Sequence, residues 1–281
     1  MKRDIYNIFF EQGLAQESLD FIECSKMKVY NSMDFGMRIQ SVMQIPFYAK
    51  QVINHTEEIG ICERVLLERS FTEESAILRN IQMKRISTRR FCDYISLKDL
   101  SNILLNSYFI TETFESHSHH LCRRSIPSGG ALYPIDLFYI SINTKGLKTG
   151  VYYYNLHKES LECLFLESKA SEFANKLKKM FPEEILGDWD LTEVSGIVVF
   201  CGKLNRVSCK YGDRGLRFAL MDVGAILQNI HLAAATEDVA CCAIGGYLDD
   251  ELDKFLELRY PDETSLLSLF IGKNGNPQNN S

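Results

Sequence analysis

The segment that most constrains the fold is residues 216–237, LRFALMDVGAILQNIHLAAATE, which has the longest continuous helical periodicity in the chain. Its apolar positions recur on more than one helical face, and small residues lie between them. A helix that is apolar nearly all round must be buried on several sides. In a chain of 281 residues, this pattern predicts a central core helix that also meets a second subunit.

Shorter elements surround this helix in the sequence. Ser96 followed by Asp99 begins a predicted amphipathic helix over 96–109, and the polar segment 111–125 is interpreted as a loop. The interleaving of helices, strands and a hairpin favours an α+β fold with a mixed central sheet over a doubly wound one. The other predicted elements are helices at 171–181 and 248–258, a hairpin at 147–164, and strands at 135–142, 196–204, 239–247 and 265–273.

Residues 1–80 differ in pattern from the rest of the chain. They carry mixed helical periodicity without a chemical motif, whereas the patterns sharpen from about residue 82. We therefore predict two units: an N-terminal helical extension over 1–80, with two or three helices, and a second domain over 81–281. The extension is interpreted as an arm, a lid or a partner-docking surface.

Composition argues against several classes of protein. The formal net charge is −6, without the large basic excess that nucleic-acid binding favours. Nine cysteines, an odd number without a CxxC pair, are typical of a reduced cytosolic protein rather than of a disulfide framework. No apolar stretch reaches the roughly 18 residues of a membrane span. We therefore expect a cytoplasmic protein that binds neither nucleic acid nor a membrane.

A histidine-rich segment offers the only candidate metal ligands that the sequence groups together. The spacing of its side chains does not match the usual tetrahedral zinc patterns. No metal site is therefore expected. The four residues are His117, His119, His120 and Cys122.

Two glycine pairs are candidates for ligand binding. In RRSIPSGGALYP, residues 123–134, Pro127 precedes Ser128-Gly129-Gly130 and a strand follows. Glycine lacks a Cβ, so its backbone can approach a flat or anionic ligand and reach positive φ. The same residues also suit a tight turn. The second pair, Gly245 and Gly246, ends a strand, where its backbone N–H groups either bind a ligand or form a strand-to-helix turn.

Basic residues mark a candidate phosphate site. In KRISTRRF, residues 84–91, Arg85, Ser87 and Arg89 alternate, so an extended backbone places all three on one face. Two guanidinium groups and a hydroxyl suit a phosphate, and the alternative is a solvated basic stripe. Lys273 ends the last predicted strand, where it either reaches a phosphate or is solvated.

Lys210 and Tyr211 lie just before the core helix, in KYGDRGLR. Burial would lower the pKa of the lysine towards neutrality and make it a usable base. The alternative is a solvated lysine beside a packed tyrosine. Neighbouring side chains of a strand point to opposite faces, so both reach one ligand only at a turn or helix start. Gly212 and Gly215 favour such a turn.

Taken in order, these motifs resemble those of the SagB-type, McbC-like azoline dehydrogenases, a branch of the FMN-dependent nitroreductase superfamily. The resemblance covers residues 82–273. It implies a three-layer αβα fold in an interlocked homodimer, with FMN at the dimer interface. It also implies oxidation of thiazoline or oxazoline rings in a ribosomally made precursor peptide, within a complex with cyclodehydratase subunits. The strongest blocks are 127–134, 148–155, 210–229 and 243–247.

The resemblance also implies roles for the cofactor-binding residues. The basic segment would hold the FMN phosphate and ribityl chain, the first glycine loop would line the flavin, and the second glycine pair would place donors near N5 and the pyrimidine. The family often has two arginines before the serine, whereas this chain has Lys84 and Arg85 ahead of Ile86, so either one fills the first basic role. The implied FMN residues are Arg85, Ser87, Arg89, Pro127, Ser128, Gly129, Gly130, Gly245, Gly246 and Lys273.

The family's catalytic Lys-Tyr pair corresponds to Lys210 and Tyr211. An azoline becomes aromatic by losing a hydride, which the flavin takes at N5, and a proton, which these two residues would take. One alternative is an NAD(P)H-dependent reductase of nitro compounds, quinones or dehydroamino acids, although a simple nitroreductase needs no dedicated base. A second alternative is a scaffold subunit without FMN, against which the intact motifs argue.

Overall fold

The computed structural model describes residues 13–47, 64–88, 90–116, 119–187 and 190–275. The predicted phosphate ligand Arg89 lies outside these residues. The helices are α1 (Gln16–Ser25), α2 (Val29–Gln44), α3 (Glu73–Lys84), α4 (Leu97–Ser107), α5 (Ala170–Lys178), α6 (Glu183–Leu186), α7 (Asn205–Tyr211), α8 (Arg214–Thr236) and α9 (Asp249–Phe255). The strands are β1 (Ile110–Ser116), β2 (His119–Arg124), β3 (Ile135–Ser141), β4 (Gly150–Asn155), β5 (Ser160–Leu166), β6 (Gly196–Lys203), β7 (Val239–Ile244) and β8 (Glu263–Lys273).

Six strands form the central sheet, in the order β5-β4-β3-β6-β8-β7. Its five ladders are all antiparallel, which corrects the expected mixed sheet. Parallel neighbours need a long crossover connection, whereas β3, β4 and β5 follow one another through short turns that reverse the chain. Within the described ranges, parallel pairing is limited to the isolated bridges Ser87–Cys241 and Ser96–Lys145.

Helices cover both faces of this sheet. Along β6, Val198 and Phe200 belong to the hydrophobic cluster that includes α4 and α8. The alternate residues Ile197 and Val199 belong to a second cluster, which includes α5 and α9. Because successive side chains of a strand point to opposite faces, the two clusters lie on opposite sides of the sheet. The predicted three-layer αβα arrangement is therefore confirmed.

The predicted core helix is confirmed as α8, the 23-residue helix Arg214–Thr236. By length and composition alone it could cross a membrane, but here Ala219, Ile226 and Ile230 are fully buried against the sheet layer. Its opposite face exposes Leu220 and Met221, the latter with 68% of its surface accessible. In a single chain, α8 is therefore buried on one side only, and the second subunit stays a prediction.

Most predicted elements occur where the sequence placed them, and one interpretation was wrong. The helix α4 begins with a capping box, in which the Asp99 N–H donates to Ser96 Oγ at 3.1 Å and the Ser96 N–H donates to the Asp99 carboxylate at 2.8 Å. The supposed loop 111–125 is instead the antiparallel hairpin β1–β2. Both faces of this hairpin carry polar residues, so it lacks the apolar alternation that reveals a strand.

Among the described residues up to position 80, the chain forms α1, α2 and most of α3, which runs on to Lys84. Ile22 of α1 is buried in the same cluster as α8. Gly36 of α2 packs against α6, where an added Cβ would lie 3.0 Å from the Glu184 carbonyl oxygen. The extension therefore packs on the main domain, while the boundary near residue 80 stays a prediction.

Candidate active site

The first glycine loop has an unusual backbone. A short 3₁₀ turn spans Gly129–Ala131, and φ is +63° at Gly130, +55° at Ala131 and +45° at Tyr133. Positive φ is uncommon for residues other than glycine and persists only where the surroundings enforce it. Here the Tyr133 N–H donates to Ser128 Oγ at 3.0 Å, and the Tyr133 hydroxyl accepts from the Arg124 N–H at 3.0 Å.

Lys210 and Tyr211 converge on this loop. A Cβ added to Gly130 would lie 2.6 Å from Lys210 Nζ and 2.5 Å from Tyr211 Oη. The amine and the phenol therefore reach the same point of the backbone, and a side chain at this position would displace the ends of both. The two residues form the last turn of α7, whereas the sequence suggested a turn or helix start, and their catalytic role stays a prediction.

Tyr211 is fixed by packing, whereas Lys210 is not. The Tyr211 ring meets Phe218 of α8 edge-on, with 4.9 Å between ring centroids. Phe218 also fixes the loop from below, because a Cβ on Gly129 would lie 2.9 Å from its ring. The Lys210 side chain is exposed in the single chain. The burial that would make this amine a base is therefore absent from one chain taken alone.

Sequence reasoning missed a buried carboxyl group behind the loop. Asp222 of α8 is 3% exposed, and this burial raises its pKa to about 6, although the Ser128 hydroxyl and the charge of Arg124 oppose the shift. One Asp222 oxygen and the Arg124 Nε have no hydrogen-bond partner among the described residues. The Arg124 guanidinium lies 4.8 Å from the Tyr133 ring centroid. An isolated acidic residue in the most apolar helix was the signal that could have found this group.

The second glycine pair follows β7 and opens onto a cavity. No described atom lies within 4 Å of a Cβ built on Gly245, whereas Gly246 is buried. Gly245 lines a cavity of about 440 Å³ together with Leu216 and Leu220 of α8. The Gly245 backbone is therefore accessible to a ligand near the first half of α8.

The predicted phosphate residues lie near the second half of α8. The Arg85 guanidinium donates to Ser87 Oγ at 3.4 Å, which places these two side chains together as predicted. Ser87 forms the bridge to Cys241. Burial lowers the pKa of the neighbouring His231, and the positive charge of Arg85 lowers it further.

Lys273 lies at the same end of the helix. Its Nζ donates to the Glu237 carbonyl oxygen at 3.4 Å, just beyond the last residue of α8. Lys84, the other candidate for the first basic position, is the exposed last residue of α3. The contact between Arg85 and Ser87 therefore favours Arg85 over Lys84 as the residue that fills the first basic role.

A single chain thus divides the predicted residues between the two halves of α8. Phe218, beneath the first glycine loop, and His231, beside Arg85, are 13 positions apart, or about 20 Å along a helix. Lys210, Tyr211 and both glycine pairs lie towards the start of α8, and the candidate phosphate residues lie towards its end. Among the described residues, no group of three or more side chains could hold a metal ion.

Comparison of the sequence with known protein families identifies the family of this chain. The Nitroreductase family matches residues 83–273, about two thirds of the chain. The chain belongs to the nitroreductase family. It is therefore related to oxidoreductases, and the match begins and ends at the two candidate phosphate segments.

Two relatives and one solved structure show which nitroreductases this chain resembles. MJ1384 of Methanocaldococcus jannaschii, a protein named as a nitroreductase, is 27% identical over 71% of this chain and 92% of its own length. The microcin B17-processing protein McbC of Escherichia coli is 30% identical over 65% of this chain and 64% of its own length. A chain of the E. coli microcin synthetase McbBCD complex with truncated pro-MccB17 bound has the same fold, with a TM-score of 0.60 and 21% identity over 98% of this chain and 92% of that one. This protein is therefore a McbC-like nitroreductase, as the motifs predicted.

Proposed function

We propose that this chain is an FMN-dependent dehydrogenase that oxidises thiazoline or oxazoline rings in a ribosomally made peptide to thiazole or oxazole. The observation that carries the proposal is the convergence of Lys210 and Tyr211 on Gly130. A simple flavin reductase needs no acid–base pair beside its cofactor, whereas forming an aromatic ring requires removal of a ring proton. The similarity to a microcin-processing protein supports a peptide as the substrate.

The residues of this chain fit FMN. Bound FMN supplies the hydride acceptor of the reaction. Its phosphate suits Arg85, Ser87 and Lys273, since a guanidinium, a hydroxyl and an ammonium donate hydrogen bonds to phosphate oxygens. Gly245 offers an accessible backbone with no described atom within 4 Å of its missing side chain, as a flat ring requires.

The remaining cofactor residues of the proposal belong to the first glycine loop and the second glycine pair. Pro127, Ser128, Gly129 and Gly130 would line one side of the flavin. Gly246 would contribute a backbone donor beside Gly245. Arg89 would add a second guanidinium to the phosphate site.

In the proposed mechanism, Lys210 Nζ accepts the ring proton and Tyr211 Oη holds that amine in place by a hydrogen bond. Both atoms lie close to one point at Gly130, so a ring held there would meet both. Positioning of this kind is a large part of enzymatic rate enhancement. The loop beneath is fixed by Ser128 and Tyr133, which keeps this geometry constant during turnover.

A homodimer completes the proposed site. Met221 of α8 is 68% exposed, and a second copy packed there would bury this apolar side chain. A second copy there would also exclude water from the surroundings of Lys210. The precursor peptide and cyclodehydratase subunits are the other proposed partners, and the proposed location is the cytoplasm.

The test is reduction of the bound flavin without oxygen. The purified protein is mixed anaerobically with a short thiazoline peptide, and separately with NADH and with NADPH, and the visible absorbance of the flavin is followed. We expect the thiazoline peptide to bleach the flavin and to appear as thiazole in equal amount, and the nicotinamides to bleach it slowly. Rapid bleaching by NADH or NADPH without response to the thiazoline would instead establish a nicotinamide-dependent reductase. A colourless protein that takes up no added FMN would indicate a scaffold subunit.

A further inference from the structure

Helix α1 bridges the two turns that carry the proposed active site. At its start, the Ala15 N–H donates to Asp213 Oδ1 at 2.8 Å, two residues after Tyr211. At its end, the Met27 N–H donates to Asp249 Oδ2 at 2.8 Å, three residues after Gly246. A ten-residue helix is about 15 Å long. The helix therefore spans from the catalytic pair to the second glycine pair.

The second end of α1 is held by a buried cation as well. Lys26 is 5% exposed, and its Nζ donates to both Glu23 and Asp250 at 2.8 Å. The same ammonium lies 3.8 Å from the centroid of the Tyr260 ring. The buried ammonium of Lys26 holds this end of α1 in position. Moving the helix away would separate the ammonium from the carboxylates of Glu23 and Asp250. This end of α1 is a fixed wall rather than a mobile lid.

The wall encloses the cavity that opens at Gly245. Phe21 of α1 and Phe35 of α2 line one side, and Leu216 and Leu220 of α8 line the other. The volume of about 440 Å³ lies within the range of about 300–1,000 Å³ that ligand pockets occupy. Asp34 and Arg38, which are four residues apart on α2, line the same cavity and add polar groups of both signs at one edge.

We propose that this cavity binds the residues of the peptide substrate that flank the reacting ring, with an apolar side chain between the two phenylalanines and the two leucines. The inference rests on the proposed function, because it assigns the substrate-recognition part of the same site. A peptide segment fits this lining, since apolar walls accept a side chain while Asp34 and Arg38 can pair with amide groups of the main chain. The N-terminal extension thereby sets the specificity of the enzyme.

The test separates recognition of the peptide from oxidation of the ring. Phe21→Ala and Phe35→Ala are compared with Tyr30→Ala, an aromatic position on α2 that is 79% exposed and does not line the cavity. All three are assayed with a leucine-flanked thiazoline peptide and with a minimal methylthiazoline carboxamide, which has the ring but no flanking residues. Binding of the corresponding fluorescent thiazole peptide is measured by anisotropy, and flavin content and sedimentation are recorded for each variant.

We expect each phenylalanine variant to bind the thiazole peptide about tenfold more weakly and to lose kcat/KM on the peptide by the same factor. Flavin content, sedimentation and turnover of the minimal ring should stay at the wild-type level. Phenylalanine variants that match Tyr30→Ala on the peptide would overturn the inference and leave the proposed function intact. Variants that sediment as a smaller species and lose both activities would assign the cavity to a subunit interface and overturn the inference. A wild-type protein that oxidises neither substrate would overturn the proposed function, and this inference with it.

Discussion

The Ser128 hydroxyl, which accepts the Tyr133 N–H at 3.0 Å, lowers the pKa of the buried Asp222 carboxyl group against the larger, opposite effect of burial. This influence couples the interior of α8 to the first glycine loop. The loop therefore lies close to a single buried carboxyl group. Its protonation state should be visible in the stability of the protein.

Replacing Asp222 with Asn should remove a pH-dependent term from the free energy of unfolding. The pKa of this carboxyl is raised from 3.8 to about 6 in the folded chain. The unfolded chain therefore loses the proton first, and the wild-type protein loses stability as pH rises from about 4 to about 6. The resulting decrease in the free energy of unfolding is on the order of 2–3 kcal/mol, and it stays constant above about pH 6.

Urea denaturation of wild type and Asp222→Asn at several pH values measures this term. The wild-type free energy of unfolding should fall relative to that of the variant between about pH 4 and pH 6. The comparison between the two proteins cancels other titrating groups, among them Asp249, whose pKa burial raises to about 7. Two curves that stay parallel across this range would show that Asp222 keeps an ordinary pKa.

Replacing Gly130 with Ala should reduce activity because the new methyl group would displace the Lys210 amine and the Tyr211 hydroxyl from the positions proposed for catalysis. Gly146 provides a control, since its φ of +85° is also positive but an added Cβ would meet only Leu97 Cβ, at an ordinary contact distance of 3.7 Å. Both variants should lose about 1 kcal/mol of stability from the positive φ. Only Gly130→Ala should lose turnover of thiazoline. Equal activities of the two variants would show that Lys210 and Tyr211 do not depend on the space at Gly130.

The sequence predicted those elements whose local pattern of apolar and capping residues matches the environment they have in the fold. The long helix was predictable because its apolar faces require burial, and α4 because Ser96 and Asp99 form its cap. The hairpin β1–β2 was not predictable, since its stability comes from cross-strand contacts between polar residues. Arg123 of β2, for example, pairs with Glu112 of β1 and lies 4.9 Å from the Phe114 ring centroid.

The candidate site was predictable as a set of motifs but not as an arrangement. The motifs identified Gly130 and Lys210, yet their contact depends on how α7 ends and how the loop bends. Asp222 carries no motif, so only its burial reveals it. The attachment of α1 to Asp213 and Asp249 joins residues more than 190 positions apart, which no local pattern can indicate.

Replacing Arg85 with Ala should weaken FMN binding, whereas replacing its neighbour Lys84 should not. Arg85 is half-buried and contacts Ser87, so its guanidinium is already oriented for a phosphate. Lys84 is exposed at the end of α3 and is the matched control. Titration of each FMN-depleted variant with FMN should give a Kd raised about tenfold or more for Arg85→Ala. The reverse order of the two values would assign the first basic role to Lys84.

Replacing Lys210 with Ala should leave FMN bound and remove azoline oxidation. The side chain is exposed and reaches Gly130 only through its amine, so its loss leaves the fold and the candidate phosphate residues unchanged. Removal of a general base typically costs about 10²–10⁴-fold in rate. Lys98→Ala, an exposed lysine of α4, controls for the loss of a surface charge.

Tyr211→Phe separates the two members of the catalytic pair. The variant keeps the ring that packs on Phe218 with 4.9 Å between centroids, so the loop should keep its shape and only the hydroxyl is lost. If Lys210 is the base and Tyr211 its partner, Tyr211→Phe should retain partial turnover and shift the pH profile of kcat. The shift is expected because the pH profile reports the groups that exchange the ring proton, and the variant removes one of the two proposed groups. Full wild-type turnover in Lys210→Ala, measured by single-turnover bleaching with the thiazoline peptide, would rule out this role for the lysine and leave the phenol as the proton acceptor.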